Sequence, residues 1–471
     1  MAHGVRVSEI ATSLSTPVVA DVGIPFFVGT APVHSADSPA TTGVPCIATS
    51  WSEAVDKLGY NEDWEDFTLC EAMYSHFQLY SMQPAIFLNV LDVSTMNESK
   101  AAADFTVTDH KVNLGNLAIN NASLVVKNLA ADANPLVKDT DYAVYYSDGD
   151  LIVELLSTGS AYASASLNIA YKAVKPSLVT TSAVALAFDK VELCMSSFGV
   201  VPDLLVAPGF SSDSGVAAAM ASKAVAINSL FRAKALVDLP TDNGTNTYTA
   251  AITAKTTLNM TDLNQIVCWP KVALSNKVFH LSTQMAGLMA SIDSETGTPY
   301  ASPSNHTLRA DRLVDDTGSE ILLTYQQANM LENVGICTGL NFMGSFNAWG
   351  NWTACYPTNT DVKDYIIPVS RMVDFIGNTL IRTFWGQLDK PMTRRFVGSI
   401  MDSVNIWLGG LVGSGYLLGG RCEMIEDENP ITDLMSGIIK LHVYITPPSP
   451  AHEIDFYLEY DPSYVQSALQ L

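Results

Sequence analysis

Three stretches of this chain are apolar at nearly every successive position: Ala85-Ile86-Phe87-Leu88-Asn89-Val90, Leu204-Leu205-Val206-Ala207 and Ile266-Val267-Cys268-Trp269. A strand that alternates apolar and polar residues keeps one face wet; a strand that does not alternate is covered on both faces. Such strands belong to mostly parallel sheets, whose crossover connections lay helices on the two sides. Helical periodicity occurs where that arrangement needs it. It predicts a helix opening at Trp51-Ser52-Glu53 with Ser52 as N-cap, and helices over Phe67 to Tyr80, Val216 to Ser229 and Val278 to Ile292. Further strands are expected at Ile24 to Thr30 and Arg232 to Leu239, and two more helices at Met372 to Phe384 and Arg394 to Leu411. The fold class is therefore α/β (α+β), and a length of 471 residues makes it multidomain.

Between about Asn97 and Pro176 the helical period vanishes. Short strand-like runs recur there, at Ser123 to Val126, Tyr142 to Tyr146, Leu151 to Leu155 and Leu167 to Tyr171, and Ser147-Asp148-Gly149-Asp150 reads as a hairpin turn. This is an inserted all-β domain. The boundaries expected are an arm at 1–20, a core in two parts at 21–96 and 182–355, the β insert at 97–181, a C-terminal domain at 356–460 and a tail at 461–471.

Both ends of the chain carry strand patterns. Val5, Val7 and Ile10 alternate with polar residues near the N-terminus. Near the C-terminus, Ile439, Leu441, Val443 and Ile445 alternate with Lys440, His442 and Tyr444. After a proline-rich connector at 446–450, Ile454, Phe456, Leu458 and Tyr460 alternate with Asp455, Tyr457 and Glu459. Termini fray unless a sheet holds them, so these strands need partners.

The charge balance narrows the partners. Only 15% of residues are charged, against about a quarter in an ordinary soluble domain, which points to a surface covered by other protein. A net charge of −23 is wrong for wrapping nucleic acid. No run of 18 apolar residues predicts membrane insertion; Ile406 to Leu418 is short and glycine-rich. Seven cysteines, odd in number and never in a C-x-x-C pair, fit buried reduced thiols, and the first residues lack a signal-peptide pattern, so folding in a cytoplasm is expected. Against the acidic background, Lys363 to Arg421 holds seven basic residues: Lys363, Arg371, Arg382, Lys390, Arg394, Arg395 and Arg421. They read either as helix-surface charges paired with acids or as a basic face for an acidic partner.

Chemistry is sparse. The carboxyl end of the 203–209 strand, with Ser211-Ser212-Asp213 opening a helix, is where an α/β enzyme would bind a ligand, though a simple N-cap explains the same residues. Gly413-Ser414-Gly415-Tyr416-Leu417-Leu418-Gly419 has the wrong spacing for a dinucleotide loop and follows a helix. His76 and His442 read as structural, and Glu426-Asp427-Glu428 as a solvated turn.

By the C-terminal third, the order of motifs resembles the tail sheath proteins of contractile phages and related injection systems. Ala286-Gly287-Leu288 with Asp293, Gly297 and Ser302-Pro303-Ser304-Asn305 is similar to that family's helix-then-loop signature. Gln327-Ala328-Asn329-Met330-Leu331 precedes Trp349-Gly350-Asn351-Trp352-Thr353, similar to the family's W-G-x-R-T, with Trp352 in place of the arginine. Ile367-Pro368-Val369-Ser370-Arg371 resembles its V-x-R helix opening. Asn429-Pro430, Gly437, Pro447-Pro448 and Pro450 with Glu453-Ile454 resemble its closing domain. The resemblance spans about 1–95 and 185–471. It implies a structural subunit without catalysis, cofactor or metal, stacking with itself as hexameric rings around an inner tail tube, in contact with baseplate and tail terminator proteins. Contraction would drive the tube through a cell envelope. Its place would be the tail of a virion or other contractile particle, assembled in a bacterial host cytoplasm. The C-terminal domain's small sheet would be completed by arms of neighbouring subunits: Val5, Val7 and Ile10 at one end, Ile454, Phe456 and Leu458 at the other. Gly23, the Ser/Thr-rich link after the arm and the proline-rich connector would be hinges or spacers, and Arg394 and Arg395 would face the tube. The alternatives are an α/β enzyme with a crevice near 209–213 and a non-contractile tube or shell.

Overall fold

A computed structural model describes residues 17–242 and 244–469. Its centre is an eight-stranded sheet in the order Ser345–Trp349, Ile336–Phe342, Gln265–Cys268, Lys234–Asp238, Leu204–Val206, Pro25–Gly29, Ala85–Asn89 and Cys46–Ala48. The six inner strands are parallel and the outermost strand at each edge is antiparallel. Side chains divide between two cores. Phe26, Val28, Ile86, Leu88 and Leu205 face a layer that includes helices Thr181–Ala187, Ser214–Val225 and Tyr248–Thr257. Phe27, Phe87, Leu204 and Val206 face the other, formed by Trp51–Leu58, Thr68–Leu79 and Leu281–Thr296. Coverage on both faces is why these strands are apolar without alternation.

Local chemistry moved some boundaries. Ser50, not Ser52, caps the Trp51–Leu58 helix by accepting from Glu53 N at 3.2 Å. The helix expected from Val278 begins at Leu281, because Lys277–Phe279 is a strand of a four-stranded antiparallel sheet with Lys271–Leu274, Arg312–Val314 and Glu320–Ile321. The helix after Phe67 changes from α to π geometry at Tyr74 and carries His76 wholly buried; burial pulls its pKa down to about 4, leaving it neutral.

Residues 97–174 form strands only, in two sheets with their own core of Val112, Val126, Leu151, Val153, Leu167 and Ile169. The strands Tyr142–Ser147 and Asp150–Leu155 join through Asp148 and Gly149, both at positive φ (52° and 86°), as a two-residue hairpin turn requires.

Beyond Trp352 come two long helices, Ile367–Phe384 and Arg394–Gly413, and a two-stranded antiparallel sheet, Gly419–Glu423 with His442–Thr446. Met372, Phe375, Ile376, Val404, Leu408 and Cys422 make their core, and Leu441, Val443 and Ile445 pack on it as alternation predicts. The paired strand is shorter than the 438–445 expected. Arg394–Gly413 is long and apolar enough to cross a membrane by length and composition, but one side of it packs on this core through Val404, Leu408 and Leu411. Ile454 to Tyr460 pairs with no strand among the described residues. Val5, Val7 and Ile10 lie outside the described residues.

Candidate assembly surface

A two-stranded sheet is marginal by itself and must be supported or extended. Support comes from Arg394–Gly413 through Asn405. Its side-chain oxygen accepts from Cys422 N at 2.7 Å and its amide nitrogen donates to Cys422 O at 3.0 Å. Both main-chain groups of Cys422 therefore point away from the neighbouring strand. Cys422 opposes Val443, so this is a non-hydrogen-bonded pair, and by alternation so is Gly420 with Ile445. The N–H and C=O of Val443 and Ile445 must then point to the outside, where they have no partner among the described residues. One edge of the sheet is closed by Asn405; the other, along His442–Thr446, is a free ladder. An edge of this kind is a template for another strand.

The candidate strand from the C-terminal side is bare. Ile454, Phe456 and Leu458 are 69%, 85% and 98% exposed. Together with Tyr457 and Tyr460 they form a run of large, exposed, mostly apolar side chains.

The root of the N-terminal arm is fixed. Val18 N donates to Thr383 Oγ1 at 2.9 Å and Ala20 N to Thr379 Oγ1 at 3.1 Å, while Arg382 Nη1 meets Asp21 Oδ2 at 2.5 Å, so the link lies along Ile367–Phe384. Gly23, expected as a hinge, is instead packed tight: at φ 68° it crosses the Leu281–Thr296 helix so closely that a Cβ would stand 2.8 Å from Ala290 Cα. The next residue is tied as well, Ile24 N donating to Asp203 Oδ1 at 2.8 Å.

Asp203 leads to a buried charge cluster. Arg371 donates to Asp203 Oδ2 at 2.8 Å and to both oxygens of Asp293, with Nη1 at 3.1 Å from Oδ1. Two carboxylates share one guanidinium inside the protein, and burial pushes Asp293 up to about 6 despite the arginine. Beside it, Lys234 meets Asp374 at 2.9 Å and Ser370 Oγ at 2.8 Å. These bonds tie Ile367–Phe384 to the central sheet and to the helix beneath it.

The basic stretch is thus not one face. Arg371 is buried; Arg382 holds Asp21, Lys363 holds Asp361 and Asp364, Arg421 lies near Glu423, and Lys390 donates to Gln387. Besides Lys390, Arg394 and Arg395 are exposed with no acidic partner among the described residues. They occupy the first turn of a 20-residue helix that has no acidic residue there, the end where the helix dipole disfavours positive charge. Trp385, Leu388 and Ile406, exposed by 60% or more, add apolar surface in the same two-helix unit.

The crevice expected near 209–213 exists, a cavity of about 830 Å³ at the carboxyl ends of the central strands. Its polar groups are bonded to one another. Glu71 accepts from His280 N and meets His280 Nδ1, each at 2.7 Å; Asp238 accepts from Ser211 Oγ, Ser282 N and Ser282 Oγ; Lys271 pairs with Asp316. Burial alone would lower the His280 pKa, but Glu71 and Asp238 together raise it, and burial raises that of Asp238. Asp213 caps the Ser214–Val225 helix, the simpler of the two readings of this loop. Among the described residues no serine bonds to the His280 ring, and no group of three or more His, Cys, Asp or Glu is placed to hold a metal ion.

Over 98% of its length this chain is 25% identical to the tail sheath protein of Burkholderia phage BcepMu, of which it covers 97%. Along nearly its whole length, then, the chain is similar to a phage tail sheath protein. The sheath fold extends through almost all of it. A contracted sheath of an extracellular contractile injection system, PVC, superposes with a TM-score of 0.59 at 14% identity, covering 98% of this chain and 99% of that one. The contracted helical sheath of the anti-feeding prophage gives 0.59 at 15%, covering 97% and 99%. No family model matches the sequence. Trp352, standing where the sheath pattern has an arginine, lies in an aromatic cluster with Tyr356 and Tyr365. Arg371, Asp203 and Asn405 were not found as a set from sequence. Asn405 had one signal, an amide amid the apolar Val404, Ile406 and Trp407.

Proposed function

We propose that this sheath subunit polymerises as stacked hexameric rings around an inner tail tube and contracts to drive that tube through a cell envelope. The observation that carries the reading is the free His442–Thr446 edge together with an exposed apolar segment, 454–460, that pairs with no strand among the described residues. Strand addition between copies would join subunits by main-chain bonds that persist while rigid bodies rotate. Val5, Val7 and Ile10 from one neighbour and Ile454, Phe456 and Leu458 from another are the candidate strands. Likeness to sheaths in the contracted state supports a second, shortened geometry. Arg394 and Arg395 are assigned to an acidic tube surface, since no acidic group among the described residues neutralises them. Baseplate and terminator proteins would cap the stack, and the contractile particle, assembled in the host cytoplasm, would be its location.

Val443→Pro tests the edge. It removes one outward N–H, and proline is tolerated at a free edge. The subunit should fold, and negative-stain microscopy of the expressed particle should show no connected sheath. Normal sheaths from Val443→Pro, and equally from a chain lacking 454–471 and 1–12, would overturn strand exchange. Tubes of a single length and diameter would favour a static shell.

A further inference from the structure

The C-terminal segment touches its own subunit at a point the assembly reading does not use. Past the proline-rich connector, the His452 ring stacks on Trp352 with centroids 4.8 Å apart and planes 27° from parallel. His452 Nε2 lies 3.4 Å from Glu332 Oε1. Glu332 is nearly buried and already held, since the same oxygen accepts from Asn351 N at 3.0 Å. Trp352 is braced by Tyr365 at 5.0 Å and Tyr356 at 5.7 Å. A rigid aromatic wall and a fixed carboxylate thus meet one side chain of an exposed segment: His452 itself keeps 44% of its side-chain surface, and Ala451 and each residue from Glu453 to Val465 are exposed.

We propose that Trp352, Glu332 and His452 form a clip that fixes where the C-terminal arm leaves its own subunit. The inference rests on residues 454–460 acting as an arm. The clip sets reach. From Glu453 to the short helix Ser463–Leu469 the extended chain can span about 30–35 Å. Opening the clip would free residues 448–452, past the buried Pro447, and add roughly 15–18 Å. An arm with a fixed root searches a smaller volume and meets one neighbour in preference to others, which raises its effective concentration there. An arginine at position 352 would offer Glu332 a charge partner but His452 no ring of this kind.

The clip can be read on the unassembled full-length subunit with a glutamyl endopeptidase. The enzyme must draw several residues on each side of the cut into its cleft. Glu453, next to the clip, should be cut slowly, and Glu459, exposed and distant, serves as an internal reference. His452→Ala should raise the Glu453-to-Glu459 cleavage ratio by about five- to tenfold, the scale of one aromatic ring contact. Trp352→Arg should do the same, and combining the two should add little, since both break one contact. An unchanged ratio in a folded His452→Ala variant, checked by circular dichroism, overturns the clip. The arm reading is judged separately by whether deletion of 454–471 abolishes sheaths, so either idea can fail while the other stands.

Discussion

Replacing Arg371 with Met tests the joint between the C-terminal helices and the core. The guanidinium is 4% exposed and lies between Asp293, fully buried, and Asp203, 14% exposed. Removing it leaves two carboxylates with no counter-charge, a change that in buried pairs costs about 3–5 kcal/mol. Protonation limits the loss. The variant can place a proton on Asp293, and at pH 7 holding that proton on a group with an unfolded pKa near 3.9 costs at most about 4 kcal/mol. The sign follows from the direction of the shift. Asp293 has a folded pKa raised to about 6, so its contribution is fully present below the unfolded pKa and lost as pH rises through the folded one. In Arg371→Met the folded pKa rises further. Above about pH 6 the native group is already ionised while the variant must still bind a proton, so the stability gap should widen by about 1.4 kcal/mol per pH unit and flatten below that. We expect a gap of about 3 kcal/mol at pH 7. Because a multidomain chain does not unfold in one step, the assay is pulse proteolysis in urea, following cleavage within Ile367–Phe384 at pH 6, 7 and 8. Asp293→Asn in the same variant should recover most of the loss and remove its pH dependence. A gap below about 1 kcal/mol that is the same at all three pH values would refute a charge-based joint.

Other outcomes follow from the same geometry. Asn405→Leu strips both partners from the Cys422 main chain and should destabilise the C-terminal unit by about 1–3 kcal/mol, measured as a lowered urea midpoint for its proteolysis. Phe456→Asp with Leu458→Asp should leave the isolated subunit's melting temperature within about 2 °C of the parent, since both side chains are exposed, yet block particle assembly in sedimentation. Arg394→Glu with Arg395→Glu should keep the fold and weaken co-sedimentation with purified tube at low salt. Unchanged co-sedimentation would remove these residues from the tube-facing surface.

How much of this was legible in the sequence depended on how local each cause was. The inner strands announced themselves because burial on two faces leaves a composition, as at Phe26-Phe27-Val28 and Ile86-Phe87-Leu88. The β insert was visible through a turn whose chemistry is confined to Asp148 and Gly149. The sheet of Lys271–Leu274, Lys277–Phe279, Arg312–Val314 and Glu320–Ile321 was not, since strands of two to four residues are too short to show a period. Nor was the role of Arg371 legible. Its partners stand 78 and 168 residues away, and in the linear chain it reads as one more basic residue on a helix. Gly23 misled for the same reason: a glycine after a Ser/Thr-rich link looks like a hinge until Ala290 is placed against it.

These long-range contacts bear on how the subunit could move. The link at Val18 to Asp21 lies on Ile367–Phe384, Ile24 is tied to Asp203, and Asp203 shares Arg371 with the central helix. The N-terminal root, the C-terminal helices and the parallel sheet are therefore held by one set of buried bonds, and loosening one would expose charge. On the C-terminal side the open ladder of Val443 and Ile445 belongs to the same unit. A subunit built this way resists internal bending and leaves its compliance to segments outside the cluster, such as the exposed stretch after His452. In a sheath of such subunits, the geometry would change by re-aiming arms and not by refolding bodies. Arg371→Met separates these possibilities beyond its effect on stability. If the body transmits force as one piece, a subunit with a loosened joint should still polymerise, because its edge and arms are intact, but its sheaths should contract incompletely or break between the helical unit and the core.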